Sequence, residues 1–180
     1  MLSLLELEYE RITVDLKKKE SKTNEIISLN PRGEIPILVD GERIIWDSQA
    51  ILVYLAKEYG GHNWLPKNPM SMSLIMQWLA VSGQELLYGL ARARRMLVLG
   101  APGNFSEAQN WGRSGLELLN NQLEGKNWLA AEHPTIADIA CYPYVKLAPE
   151  AGLNTLGCKS NILRWLKNIE ALDGYVEQGW

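Results

Sequence analysis

Phenylalanine is almost missing from this 180-residue chain, which has one of them beside seven tryptophans and seven tyrosines. Cysteine is scarce as well. Two cysteines, Cys141 and Cys158, cannot build a disulfide framework, so a reducing, cytoplasmic compartment is expected. Neither belongs to a C-x-x-C pair, which leaves thioredoxin-type redox chemistry without support. The only two histidines, His62 and His133, stand alone with no ligand spacing around them, and no metal site is expected. Positive charge is not in excess. A formal net charge of −3 argues against general affinity for nucleic acid or for acidic membrane surfaces. No apolar run approaches the ~20 residues that a membrane span needs. Met1 is followed by Leu-Ser-Leu-Leu-Glu, without a basic stretch or a small-residue cleavage site, so no signal peptide is expected. Internal repeats and low-complexity segments are lacking too. What is present, 47% hydrophobic and 22% charged residues, suits a folded protein long enough to bury a sizeable core.

The pattern changes character along the chain. Ile12, Val14 and Leu16 alternate with polar residues, which predicts a half-buried strand over Glu10–Leu16. Ile35-Pro36-Ile37-Leu38-Val39 runs into Asp40-Gly41, and Ile44-Ile45-Trp46 follows, which is a hairpin signal. Asp47-Ser48 opens a helix whose Ile51, Leu52, Leu55, Ala56 and Tyr59 fall at helical spacing, and Gly60-Gly61 stops it. Residues 61–69 carry two prolines and no period, and read as a linker. Helix formers then run from Met70 to Leu99, closed by Gly100. Trp111, Gly115, Leu118, Leu119 and Leu123 make one stripe of the next helix. Thr135-Ile-Ala-Asp138 is a capping box: the threonine oxygen accepts an amide while the aspartate reaches back. Ile162, Trp165, Leu166 and Ile169 mark a last amphipathic helix.

Two of these places can carry chemistry. A proline between apolar strand residues belongs at an edge or a special turn. If Ile35–Pro36 is cis, the amide and carbonyl of Ile35 stay out of the sheet and can pair with an extended peptide ligand. If it is trans, Pro36 only caps an edge strand. Asp47-Ser48 stands where a strand meets a helix, and free amides with the positive dipole end favour an anion there. A serine hydroxyl with amides holds a carboxylate, and an aspartate pairs with an ammonium, so the two together suit the α-amino-acid end of a ligand. Plain N-capping by either residue is the commoner use of such a pair. Arg92, Arg94 and Arg95 read as a solvated helix face, Cys141 as core, and Trp78, Tyr88 and Met96 either as core or as the lining of a hydrophobic pocket.

Asn30-Pro-Arg-Gly-x-Ile-Pro-Ile-Leu, then Trp46-Asp-Ser-Gln-Ala-Ile-Leu-x-Tyr-Leu, then Pro134-Thr-Ile-Ala-Asp-Ile-Ala-x-Tyr-Pro-Tyr occur in this order. Together they resemble the cytosolic glutathione transferase superfamily in its bacterial forms, over nearly the whole chain. The resemblance implies a thioredoxin-like domain that binds glutathione as co-substrate and a helical domain that forms the pocket of a small electrophile. It places the glutathione cysteine on the backbone at Ile35-Pro36 and the γ-glutamyl group on Asp47 and Ser48. Aspartate keeps the charge of the family's glutamate with a shorter reach, and Glu34 stands where relatives often have glutamine. The Thr135/Asp138 pair reads as structural. The resemblance also implies a homodimer through the helix opened by Ser48 and the long helix after it, where Met72, Met76 and Leu79 add to Leu74 and Ile75.

The family begins with a strand and a helix that carry a catalytic tyrosine, serine or cysteine at their junction. Here Leu2-Ser-Leu-Leu-Glu-Leu-Glu-Tyr-Glu resembles the end of that helix. The expected fold is therefore α/β plus all-α: an N-terminally truncated thioredoxin-like domain over 1–60, a linker over 61–69 and an all-helical domain over 70–180. No catalytic residue is assigned, and enzyme status stays open. The expected function is conjugation or reduction of small electrophiles with glutathione once the N-terminus is completed. The alternative is a non-catalytic module of the same fold, used for binding or dimerisation.

Overall fold

The computed structural model describes residues 1–153 and 159–177. Among these, regular structure is helical apart from one hairpin. The chain opens with a helical turn, Ser3–Leu5, and continues without regular structure, then through a turn at residues 16–19, to a second helical turn, Glu20–Lys22. Thr23 caps the short helix α1, Asn24–Leu29, by accepting the Ile26 amide. Strands β1, Ile37–Asp40, and β2, Arg43–Trp46, then pair antiparallel with Ile37 opposite Trp46 and Asp40 opposite Arg43. Gly41 has φ +59°, which a primed two-residue hairpin turn requires at its first central position. Helix α2, Ser48–Glu58, follows directly. Asp40 ties the hairpin to it, accepting from the Tyr54 hydroxyl at 2.6 Å and from the Tyr59 hydroxyl on the same oxygen. Those two hydrogen bonds, Tyr54 first, hold the Asp40 carboxyl below its ordinary range.

Glu10–Leu16 is not a strand. Ile12 is 79% exposed and Leu16 48%, and only Val14 and Asp15 are half-buried among these residues. Alternation gives a segment two faces, but a strand also needs a ladder partner, and none of the described residues pairs with this segment. The N-terminal part is a helical turn, an irregular stretch, a second turn, α1, a hairpin and α2.

After a one-turn helix α3, Gly61–Trp64, helix α4, Pro69–Val81, starts with proline at its first turn and the Asn68 side chain capping the Ser71 amide. Wider, π-helical turns over Ser82–Ala91 and helix α5, Arg92–Leu99, continue it as one rod, which ends at Gly100 with φ +64°. The run expected over Met70–Leu99 is helical throughout. Helix α6, Phe105–Gln122, returns alongside this rod. The two approach so closely at Gly89 and Gly112 that a Cβ on Gly89 would collide with the Gly112 backbone. Helix α7, Ile136–Lys146, carries the capping box, and helix α8, Ser160–Glu170, buries Ile162, Trp165, Leu166 and Ile169.

The centre of this helical part is a fully buried carboxylate. Asp138 accepts from the amides of Leu129 (3.0 Å) and Thr135 (2.9 Å), from the Thr135 hydroxyl (3.2 Å) and from the Trp165 indole (2.9 Å). Burial pushes its carboxyl above the ordinary range, and these donors pull the other way. One side chain thereby fixes the start of α7, the loop before it and α8. Among the described residues no helix is long and apolar enough to cross a membrane.

Candidate functional site

Asn30 builds the entry to β1. Its side chain, nearly fully buried, donates to the Glu34 carbonyl at 2.7 Å and accepts the Arg32 amide at 3.0 Å, while Gly33 turns the chain with φ +57°. The Ile35–Pro36 bond is cis, and Ile35 is 40% exposed. The ladder begins two residues later, at Ile37. Ile37 lies opposite Trp46, so Ile35-Pro36 and Asp47-Ser48 leave the same end of the hairpin on adjacent strands. Glu34 is exposed and paired with Arg32 at 3.0 Å.

Asp47 caps α2. Its Oδ1 accepts the amides of Gln49 at 2.9 Å and Ala50 at 3.3 Å, from a backbone held at φ +76°. The commoner use of this residue is therefore realised. The cap leaves the Ser48 amide and hydroxyl outside it, and both residues are exposed. The helical part reaches the same corner through α7. There the half-buried Tyr144 has its phenol raised above the ordinary range by burial first and by the Asp47 carboxylate next, with the Ser48 hydroxyl acting the opposite way. Tyr144 thus faces the pair that opens α2. Gln49 ties the corner down by donating from Nε2 to the Leu79 carbonyl of α4 at 2.8 Å.

The corner offers an exposed carboxylate for a cation, and a serine hydroxyl and a helix N-terminus for an anion. Beside them runs the exposed main chain at Ile35. Neither Tyr144 nor Gln49 was singled out from the sequence. Each bears on the corner only through packing between elements distant in the chain, and no local pattern carries that.

The remaining candidates disperse. Trp78 borders a cavity of about 490 Å³ with Trp128 and Leu118, and Tyr88 one of about 610 Å³ with Trp111 and Arg92. Met96 packs with Phe105 on a small cluster of alanines. They do not form one pocket. Arg94 pairs with Glu150 at 2.7 Å. Cys141 is fully buried, and burial pushes its thiol far up. Cys158 lies outside the described residues. Ser3 and Tyr9, hydroxyls of the first segment, stand 3.4 Å apart.

Fold and corner together define a class: a mixed α/β N-terminal part with an exposed binding edge, docked on a helical part that completes its surroundings. The N-terminal domain model of the glutathione S-transferases matches residues 1–57, and their C-terminal domain model matches residues 107–173. A glutathione S-transferase of Drosophila melanogaster is 31% identical over 176 residues, which is 97% of this chain and 79% of the relative. A glutathione S-transferase structure from Pseudomonas fluorescens superposes with TM-score 0.89 at 28% identity, covering 98% of this chain and 89% of that one. A possible glutathione S-transferase from Rhodopseudomonas palustris gives TM-score 0.89 at 27% identity, covering 99% and 89%. The chain belongs to the glutathione S-transferase family.

The match of the N-terminal domain from residue 1 overturns the expectation of a truncated thioredoxin-like domain. The expectation that the segment bearing the catalytic residue is absent falls with it. Both rest on the likeness of Leu2-Ser-Leu-Leu-Glu-Leu-Glu-Tyr-Glu to the end of the family's first helix.

Proposed function

We propose that this protein uses glutathione as the thiol co-substrate for conjugating or reducing a small electrophile. The observation that supports it is the shared end of the hairpin, which sets exposed Ile35-Pro36 main chain beside Asp47 and Ser48. In this reading the cysteine of glutathione pairs its main chain with Ile35 next to Pro36. The γ-glutamyl ammonium meets the Asp47 carboxylate, and its carboxylate meets the Ser48 hydroxyl and amide at the N-terminus of α2. The division is a glutathione-binding domain over 1–60, a linker over 61–69 and a helical domain over 70–180, with the electrophile between the two domains. The thiolate sulfur attacks the electrophile, the new carbon–sulfur bond forms, and the leaving group departs.

Calorimetric titration with glutathione tests this. Ser48→Ala and Asp47→Ala should each weaken binding by about tenfold or more, the scale of one charge-assisted hydrogen bond. Consumption of an activated aryl halide should require glutathione. Undiminished affinity in both variants would refute the assignment. We further propose a homodimer through α2 and the long rod, where Met76 is 40% exposed and Met70 66%. Leu79 and Ile75 are buried in the chain's own core, so they are not available to a partner. Sedimentation should give twice the 20.3 kDa of one chain.

A further inference from the structure

The long rod changes its winding between Val81 and Ser82, from α-helical to wider π-helical turns. At such a change the regular bonding of main-chain carbonyls is disturbed, and other donors can enter. Three side chains cluster there. The Ser82 amide reaches back to both Leu79 and Trp78 carbonyls. Cys141 of α7 donates its thiol to the Trp78 carbonyl at 3.6 Å, and the Ser82 hydroxyl donates to the Ala140 carbonyl at 3.0 Å. Gln49 of α2 donates its carboxamide to the Leu79 carbonyl at 2.8 Å. The change of winding is thus the point where α2, the rod and α7 are joined. Gly83 makes room for one of these contacts: a Cβ there would stand 2.8 Å from the Gln49 Nε2, with no other atom nearer than 3.7 Å. Its backbone is not in the left-handed region, so the space is what the glycine supplies.

Gln49 follows Ser48 directly, and its own amide is one of the two that Asp47 caps. Its side chain and main chain therefore link the rod to the pair at the start of α2. We propose that Gln49, admitted by Gly83, is a positioning residue that sets Asp47 and Ser48 for the γ-glutamyl end of the ligand. This rests on the reading of that pair given above. The Gln49 carboxamide touches no ligand. It fixes the first turn of α2 against the helical domain, so loss of the contact loosens the turn and misplaces the serine hydroxyl.

The test compares the full-length chain with Gln49→Ala, Gln49→Glu, Gly83→Ala and the Gln49→Ala/Gly83→Ala double variant, with Ser48→Ala and Asp47→Ala as references. Glutathione is titrated calorimetrically, and melting and amide exchange are followed without ligand. Gln49→Ala should weaken glutathione about tenfold, the scale of a displaced binding group, and Gly83→Ala in the same direction but by less, because the end of the Gln49 side chain can give way. Gln49→Glu, nearly isosteric but without a donor, should lose as much as Gln49→Ala. Gly83→Ala should melt no lower than the parent, because alanine is the better helix former. Binding and stability then move apart, which a purely structural role would not produce. The double variant should bind no more weakly than Gln49→Ala, since the added methyl has nothing left to displace. In Gly83→Ala the amides of residues 48–51 should exchange faster without any ligand. If Ser48→Ala loses affinity while Gln49→Ala and Gly83→Ala bind like the parent, the positioning role is wrong and the glutathione site stands. If Ser48→Ala and Asp47→Ala also bind like the parent, the site itself is wrong. Unchanged exchange at 48–51 in Gly83→Ala would overturn the link between the rod and α2, whatever the ligand does.

Discussion

Residues 1–47 and the helical part beyond them are both rich in apolar residues and bury them very differently. No hydrophobic residue before Leu52 is fully buried, and Ile12, Val39, Ile44 and Trp46 stand in or near solvent. From Leu52 onward most buried side chains belong to one large cluster that includes Trp165 and the Ile136 and Ala137 side chains at the start of α7, beside a small second cluster of alanines. The first region is held by local devices: the Thr23 cap, the Asn30 turn, the Gly41 hairpin and the Asp40–tyrosine bonds. The second is held by burial and by one satisfied carboxylate. The candidate residues Asp47 and Ser48 sit on the edge of the loosely buried region, and the neighbouring Gln49 is hydrogen-bonded to the tightly packed one.

That contrast can be broken most directly by hydrogen exchange. Amides of residues 8–14 lack a ladder and should exchange about a thousandfold faster, or more, than those of α7. Equal protection would mean that the first region is as well anchored as the second. Next come the tryptophans. Trp165→Ala should cost about 3–5 kcal/mol in chemical denaturation, because a fully buried ring is replaced by a cavity. Trp46→Ala, from a 37% exposed site, should cost about 1 kcal/mol or less. Comparable costs would erase the difference between the regions.

The two aspartates at helix starts sharpen it further. Asp138→Asn sets an amide N–H against the donors of Thr135 and should cost about 2–3 kcal/mol. Asp47→Asn keeps an equally good cap on an exposed helix end and should cost a few tenths, about 0.3 kcal/mol. Asp138 also gives a pH signature. Its folded carboxyl is raised, so its protonated form favours folding. That contribution is full below the unfolded value near 3.8 and is lost as pH rises through the folded value. Denaturation midpoints of the Asp138→Asn variant should lack this slope. The smallest effect lies in the hairpin. The Asp40 carboxyl is depressed, so its contribution is present above about 3.8 and lost as pH falls through its folded value. Tyr54→Phe should move the Asp40 titration, followed by NMR, back toward 3.8, because Tyr54 supplies the larger of its two hydrogen bonds.

Reading the sequence worked where the physics is local. The hairpin around Gly41, the helix opened by Asp47, the rod from Met70 to Leu99 and the Thr135–Asp138 cap each follow from turn, cap and period signals within a few residues. Glu10–Leu16 failed for the complementary reason. A period of two needs a neighbouring strand to act upon, and the neighbour is not encoded in the segment. The truncation expected from the likeness of Leu2–Glu10 to a helix end is overturned by the domain match over residues 1–57. The candidate site divides along the same line. Ile35, Pro36, Asp47 and Ser48 could be named from motif order, whereas Tyr144 and Gln49 could not.

The sequence by itself determined the hairpin, the helices from Asp47 onward that it marked, their caps and the family resemblance, because propensity, capping and motif order act over short stretches of chain. Tertiary structure decided which face of each element is buried, and that the end of a β-hairpin stands against α7. It also decided that a glycine in the middle of the rod leaves room for a carboxamide from α2. Those outcomes depend on contacts between residues about 30 to nearly 100 positions apart, such as Gln49 with Leu79 and Ser48 with Tyr144. Such contacts form only when packing brings distant segments together, and no local pattern reports which segments those are.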